Sequence, residues 1–86
     1  MKQKAVTIKL KQGMEARPVA MLVQVASRHS SSVYLEAEGK KVNAKSIMGM
    51  MSLGLDSGDM VTVIADGPDE EDAVANMADY LCGREE

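Results

Sequence analysis

Seven short segments of this 86-residue chain carry apolar residues at regular spacing, and their order limits the fold. Four segments alternate apolar and polar residues and are predicted strands: residues 5–10, 33–37, 41–44 and 60–65. Three others are predicted helices, one from Pro18, a short one that Ser46 opens, and one that "DGPDEEDA" starts. The predicted order is βαββαβα, and the alternation indicates one sheet face covered by helices and another partly open to water.

The same spacing predicts which side chains are buried. Helical positions i, i+3, i+4 and i+7 form the inward stripe of a helix, and every second residue of a strand points inward. The helix residues are Val19, Leu22, Val23 and Ala26, then Val74, Met77, Ala78 and Leu81. The strand residues are Val6, Ile8 and Leu10, then Val33 and Leu35, then Val61, Val63 and Ala65. The chain length suits one core, so we expect a single domain over residues 1–86.

Composition argues against several classes of function. A net charge of −3 and only two aromatic residues, both Tyr, disfavour nucleic-acid binding. No apolar run approaches a membrane span and the N-terminus has no signal-peptide core, so a cytoplasmic protein is expected. With one His and one Cys, neither a metal nor a cofactor is expected. No nucleophile–base pair or phosphate-binding glycine loop occurs, so the chain is not expected to be an enzyme, and His29 and Cys82 are interpreted as structural.

The short helix after Ser46 carries more apolar side chains than one buried face can accept. Ile47, Met48, Met50, Met51 and Leu53 spread over roughly 220° of its circumference. Met50 and Leu53 can enter the core together, which leaves Ile47, Met48 and Met51 nearer solvent. Two interpretations remain: all five are shielded, or an apolar patch for a protein partner lies beside Ser46. Ser46 is a plausible N-cap and also a candidate phosphorylation site.

A carboxylate precedes the first helix in the stretch "GMEARP", residues 13–18. Pro18 suits the first helical turn, so Glu15 lies just outside the helix N-terminus, with Arg17 two residues further on. That end of a helix has unpaired amides and binds anions well. An acidic side chain therefore occupies a place suited to an anion from outside.

The stretches "GMEARP" and "KSIMGMMSL", together with the order βαββαβα, resemble HPr, the histidine-containing phosphocarrier of the bacterial sugar phosphotransferase system. The resemblance covers essentially the whole chain, and the second stretch is typical of HPr proteins of Gram-positive bacteria. It implies an α+β fold, an open-faced β-sandwich with a four-stranded antiparallel sheet and three helices on one face. It also implies that the residue before Ala-Arg-Pro is the phosphoacceptor histidine. Glu15 stands at that degenerate phosphoacceptor position, and a carboxylate could form only an acyl phosphate.

Loss of the histidine with retention of the Ser46 helix is similar to the branch of this family that acts in carbon catabolite repression. That resemblance implies that HPr kinase/phosphorylase phosphorylates Ser46, and that the phosphoprotein binds the transcriptional repressor CcpA as a corepressor. Ile47, Met48 and Met51 would be the apolar contacts, with Arg17 at their rim. Glu15 departs from the neutral residue expected in that branch.

Two alternatives remain open on the sequence. The first is a phosphocarrier of altered chemistry that uses Glu15 or His29. The second is a binding module that keeps only the fold. A weak homodimer is also possible, through the methionine-rich patch or by exchange of an edge strand.

Overall fold

The computed structural model describes residues 1–9, 16–54 and 57–83, with residues 16–18 described by their backbone alone. The elements are β1 (Lys2–Thr7), α1 (Ala16–Ser27), β2 (Ser32–Ala37), β3 (Lys40–Asn43), α2 (Ile47–Met51), β4 (Met60–Asp66) and α3 (Glu70–Leu81). Their order confirms the predicted βαββαβα. No helix in the described ranges has the length and apolar character needed to cross a bilayer.

The four strands form one antiparallel sheet in the order β1-β4-β2-β3. The central strand β4 places Val63 opposite Lys4 of β1 on one side and opposite Leu35 of β2 on the other. Helix α3 packs on β1, β4 and β2, and α1 packs against α2 and α3. The fold predicted from the family resemblance, a four-stranded antiparallel sheet with three helices, is therefore confirmed.

Strand β1 begins earlier than the alternation predicts. It starts at Lys2 and ends at Thr7, whereas the prediction ran from residue 5 to residue 10. Residues 2–5 are exposed, so they show no apolar alternation, but Lys2 still pairs with Ala65 in the backbone ladder. Backbone pairing at a sheet edge needs no buried side chain, which is why the pattern missed this stretch. Leu10, the last predicted inward residue of the strand, lies outside the described residues.

The predicted core is correct in the last helix and needs one change in the first. Val74, Met77, Ala78 and Leu81 are all buried in α3. In α1 the buried residues are Val19, Leu22, Val25 and Ala26, while Val23 is partly exposed at the margin of the core. Val25 is one turn beyond Leu22, so the stripe leans to the side opposite Val23.

Gly67 joins β4 to α3 at a close backbone approach. Its φ is +154°, and a Cβ there would lie 2.7 Å from Cα and 2.9 Å from Cβ of Ser31. Contacts that short cannot stand unless the Ser31 backbone moves. We therefore expect Gly67→Ala to lower the free energy of unfolding by an amount near the top of the range of about 1–3 kcal/mol typical of a strained backbone position.

Gly54→Ala is the matched control for this prediction. Gly54 also has a positive φ, +62°, but no side-chain or backbone atom of the described residues comes within 4 Å of the place a Cβ would take. Its substitution should cost only the left-handed penalty, near the bottom of the same range of about 1–3 kcal/mol. Urea denaturation of both variants measures the difference, and equal losses would contradict the close approach.

Candidate functional site

Ser46 caps the short helix α2. Its backbone is extended, with φ −114° and ψ 117°, and its Oγ accepts a hydrogen bond of 3.2 Å from the backbone N–H of Gly49. At the other end of the helix, Ser52 Oγ donates to the Gly49 carbonyl at 2.6 Å. The predicted N-cap is confirmed. The cap uses a lone pair of Ser46 Oγ and not its proton, so the side chain keeps the chemistry of an alcohol.

Three apolar side chains of α2 face solvent beside Ser46. Met48 is 86% exposed, Ile47 48% and Met51 47%, and we call these three residues the α2 patch. Met50, in the same turn, is 0% exposed and belongs to the core. The interpretation that all the apolar residues of this helix are shielded is therefore wrong. The exposed positions agree with those predicted from the helical spacing, and their role in binding stays a prediction.

The segment that precedes Ser46 is held on both sides. Ala44 is fully buried and its N–H donates to the Val33 carbonyl at 2.8 Å. Asn43 Oδ1 accepts from the Lys45 N–H at 2.8 Å, and the Asn43 carbonyl accepts from the Ser46 N–H at 3.0 Å. The Lys45 ammonium reaches across to the carbonyl of His29 at 2.9 Å. These bonds fix the approach of the chain to the helix and so fix where Ser46 Oγ points.

His29, whose carbonyl accepts from Lys45, lies in a polar cluster with Asp69 and Asn76. Its side chain is only 9% exposed. Nδ1 donates to Asp69 Oδ2 at 2.9 Å, and Nε2 lies 3.1 Å from Nδ2 of Asn76. With both ring nitrogens engaged and the ring buried, a phosphoryl group at His29 would have to displace one of these partners. The arrangement favours the structural interpretation of His29 over a phosphoacceptor role.

Asp69 gathers several donors at the N-terminus of α3. Its carboxylate accepts from the backbone N–H groups of Ser30 at 3.2 Å and Ser31 at 2.9 Å, from the Ser31 hydroxyl, and from His29. The Ser31 hydroxyl is the main cause that holds the pKa of Asp69 far below its usual value. Sequence reasoning missed this contact because the partners are 38 to 40 residues apart. The only signal was an acidic residue at a predicted helix start.

The low pKa of Asp69 predicts how stability depends on pH. A carboxyl group with a depressed pKa in the folded state adds stability above its unfolded pKa of about 3.9, and that contribution is lost as the pH falls through the folded value. Asp69→Asn should therefore lower the melting temperature at pH 7 and flatten its decline in acid. Thermal melts from pH 7 to pH 2.5 check this, with exposed Asp72→Asn as the matched control. Parallel curves for Asp69→Asn and the unsubstituted chain would contradict it.

Two predicted site residues cannot be placed in this geometry. Glu15 lies outside the described residues. Arg17 lies within α1, but its side chain is not among those described. Among the residues that are described, no group of His, Cys, Asp and Glu side chains could hold a metal ion. The geometry of the candidate site therefore consists of Ser46, the α2 patch and the contacts that hold them.

The four-stranded antiparallel sheet with three helices defines a class of protein, the small domains with an HPr-like open-faced β-sandwich. Residues 2–82 match the family described as the PTS HPr component phosphorylation site, and the chain belongs to the HPr family. It is 53% identical over 81 residues to the HPr-like protein Crh of Bacillus subtilis, covering 94% of this chain and 95% of that protein. The resemblance to the HPr family predicted from the sequence motifs is confirmed, and the relatives that the chain matches include Crh.

Two solved structures extend the comparison. HPr-C-His from Thermoanaerobacter tengcongensis superposes with a TM-score of 0.92 at 48% identity, over 98% of this chain and 94% of that one. A crystal structure of B. subtilis Crh superposes with a TM-score of 0.80 at 51% identity, over 98% and 97% of the two chains. That Crh structure is described as a dimer with a swapped domain.

Proposed function

We propose that this HPr-family protein is a regulatory switch of the Crh type rather than an enzyme or a phosphocarrier. HPr kinase/phosphorylase phosphorylates Ser46, and the phosphorylated chain binds the repressor CcpA as a corepressor in carbon catabolite repression. The observation that carries the proposal is a serine N-cap set directly beside three exposed apolar side chains. A switch that a DNA-binding repressor reads belongs in the cytoplasm.

Phosphorylation fits the geometry at Ser46. Oγ would form a bond to the transferred phosphorus of ATP and lose its proton, while ADP leaves. The product carries about −1.5 to −2 charges at pH 7. It would meet the amides of the first turn of α2, which has no acidic residue of its own. The new charge is therefore tolerated by the helix that bears it.

The phosphate also favours recognition by a partner. The neighbouring cation, Lys45, already donates to the His29 carbonyl at 2.9 Å. A partner that supplies an Arg or Lys would form charge-assisted hydrogen bonds to the phosphate. The α2 patch would fill an apolar socket next to that cation, with Arg17 at the rim. Charge and apolar contact together distinguish the phosphorylated chain from the unmodified one.

A dimer is the second association we propose. The Crh of B. subtilis is described as a dimer with a swapped domain. In this chain β1 is an edge strand with exposed residues 2–5, so its outer backbone groups are available to another strand. We propose a weak homodimer, separate from the CcpA complex.

The test is incubation with HPr kinase/phosphorylase and ATP, followed by mass spectrometry of the peptides. One phosphate on Ser46 supports the proposal. Ser52→Ala is the matched control, because Ser52 lies exposed at the other end of the same helix. Labelling lost in Ser52→Ala but kept in Ser46→Ala would place the modification elsewhere. No phosphate at all would favour a module that keeps only the fold.

Glu15 predicts that the chain does not relay sugar-system phosphate. A carboxylate repels the anionic donor and lacks the neutral imidazole nucleophile of the family. Incubation with phosphoenolpyruvate and the first enzyme of the system should leave the chain unlabelled, and Glu15→His should restore some acceptance. Stoichiometric labelling of the unsubstituted chain at Glu15 or His29 would instead support the phosphocarrier alternative.

A further inference from the structure

The methionines near Ser46 fall into two classes by exposure. Met48 is 86% exposed and Met51 47%, whereas Met50, in the same helical turn, is 0% exposed. Met77 in α3 is also 0% exposed. An oxidant must reach the sulfur of a thioether to react with it, so exposure separates the two classes in the folded chain. Two of the three residues of the α2 patch are therefore accessible to oxidation without unfolding.

We propose that Met48 and Met51 form a reversible oxidation site, and that their oxidation prevents the α2 patch from binding an apolar partner surface. The oxidant is a peroxide. Its O–O bond breaks, one oxygen forms a bond to the methionine sulfur, and water or an alcohol leaves. The sulfur loses two electrons and the peroxide gains them. Methionine sulfoxide reductases can return both sulfoxides to thioethers.

The modification changes the surface and leaves the helix in place. A sulfoxide is polar, so two of the three apolar side chains of the patch would become polar. The bonds that define α2 involve neither sulfur: Ser46 Oγ binds the Gly49 N–H, and Ser52 Oγ binds the Gly49 carbonyl. The anchor in the core is Met50, which is fully buried. Ser46 should therefore remain a substrate for its kinase when the patch is oxidised.

The regulatory consequence rests on the proposed function. Phosphorylation of Ser46 adds the charge that a partner reads, and oxidation of Met48 and Met51 removes the apolar contact beside it. The complex would then need two conditions at once, a phosphorylated serine and reduced methionines. A peroxide signal would release repression without dephosphorylation.

The chain offers internal controls for the chemistry. Cys82 is the single thiol and is half-buried, so a Cys82→Ser background removes it as a competing target. Met60 is 59% exposed but lies on the open face of the sheet, opposite to the helices, and its Sδ accepts from Thr7 Oγ1 at 2.9 Å. Oxidation of Met60 should not change the α2 patch, and Met60→Leu serves as the control variant.

The first experiment needs no partner. The Cys82→Ser chain is exposed to hydrogen peroxide, and peptides are quantified by mass spectrometry over time. Sulfoxide should form at Met48 and Met51 at least about tenfold faster than at Met50 and Met77. Oxidation should lower the retention of the intact chain on a phenyl matrix. Retention should recover after treatment with the two methionine sulfoxide reductases, one for each sulfoxide epimer. The melting temperature reports whether the fold is kept.

Variants of the exposed methionines test whether Met48 and Met51 cause the change in retention. Each is judged by its own retention before and after peroxide. The fall in retention should be clearly smaller in the double variant Met48→Leu, Met51→Leu, and it should persist in Met60→Leu. Among the described residues, only Met1, Met21 and Met60 remain as exposed methionines in the double variant. Equal oxidation of Met50 and Met48 would overturn the proposal, because it would mean that oxidation follows unfolding. A fall in retention in the double variant as large as that of the Cys82→Ser chain would also overturn it.

The second experiment tests the consequence. Chain phosphorylated at Ser46 is titrated with CcpA before peroxide, after peroxide and after reduction. Affinity should fall about tenfold or more on oxidation and return on reduction. Unchanged affinity with both sulfoxides formed would overturn the regulatory part. If the reduced phosphorylated chain does not bind CcpA, the proposed function fails, and the oxidation site is decided by the first experiment alone.

Discussion

Ser46→Ala is expected to abolish phosphorylation by HPr kinase/phosphorylase and, with it, tight binding to CcpA. The substitution removes the Oγ that would accept the phosphoryl group. It also removes the N-cap bond to the Gly49 N–H, which costs about 0.5–2 kcal/mol of helix stability. The two losses must be separated before the result can be read. Mass spectrometry after incubation with kinase and ATP measures the first, and a thermal melt measures the second.

Ser46→Asn separates the loss of phosphorylation from the loss of the N-cap bond. Asparagine is a good N-cap, so the helix should keep its stability, but its amide cannot accept phosphate from the kinase. We expect Ser46→Asn to fold like the unsubstituted chain and to behave like Ser46→Ala toward CcpA. Ser46→Asp should substitute poorly for the phosphate, since it has one charge and fewer acceptor oxygens. Tight binding by unphosphorylated Ser46→Asn would contradict the role assigned to the phosphate.

Met48→Ala and Met50→Ala should have opposite consequences although they lie two residues apart. Met50 is fully buried, and its truncation should lower the free energy of unfolding by about 2–5 kcal/mol. Met48 is 86% exposed, so its truncation should leave the melting temperature nearly unchanged. If it is the anchor of the partner contact, Met48→Ala should instead weaken CcpA binding by about 1–3 kcal/mol, a factor of about 5 to 150.

The comparison is made on phosphorylated protein, because both variants keep Ser46. Urea denaturation gives the stability of each, and titration with CcpA gives the affinity. Glu36→Gln, an exposed change on β2, is the control for a surface substitution outside the α2 patch. An unchanged affinity for Met48→Ala would remove the α2 patch from the interface. A large loss of stability for Met48→Ala would show that this side chain is packed.

The sequence predicted the elements well where side-chain burial creates a pattern. The stripe of α3 and the exposed face of α2 both followed from helical spacing, because one side of each helix meets the core. The start of β1 did not, since Lys2 and its neighbours pair through the backbone with exposed side chains. Val25 is buried in place of Val23 because of the direction from which α1 packs against α2 and α3, and that direction depends on the rest of the fold.

The polar contacts could not be predicted from the sequence for a different reason. His29 and Asp69 are 40 residues apart and their contact is made by the docking of α3 against the end of α1. The hydrogen bond from the Lys45 ammonium to the His29 carbonyl likewise joins residues in different elements, with no sequence pattern that links them. Local spacing carries no signal for such contacts. The serine cap at Ser46 could be predicted because a cap bond is local, here three residues long.

We propose that phosphate on Ser46 creates the surface that CcpA binds. This proposal is tested most directly by titrating purified CcpA with the phosphorylated and the unmodified chain at one fixed salt concentration. We expect the phosphorylated chain to bind at least about tenfold more tightly, a difference of about 1.4 kcal/mol. Equal affinity of the two forms for CcpA would contradict it.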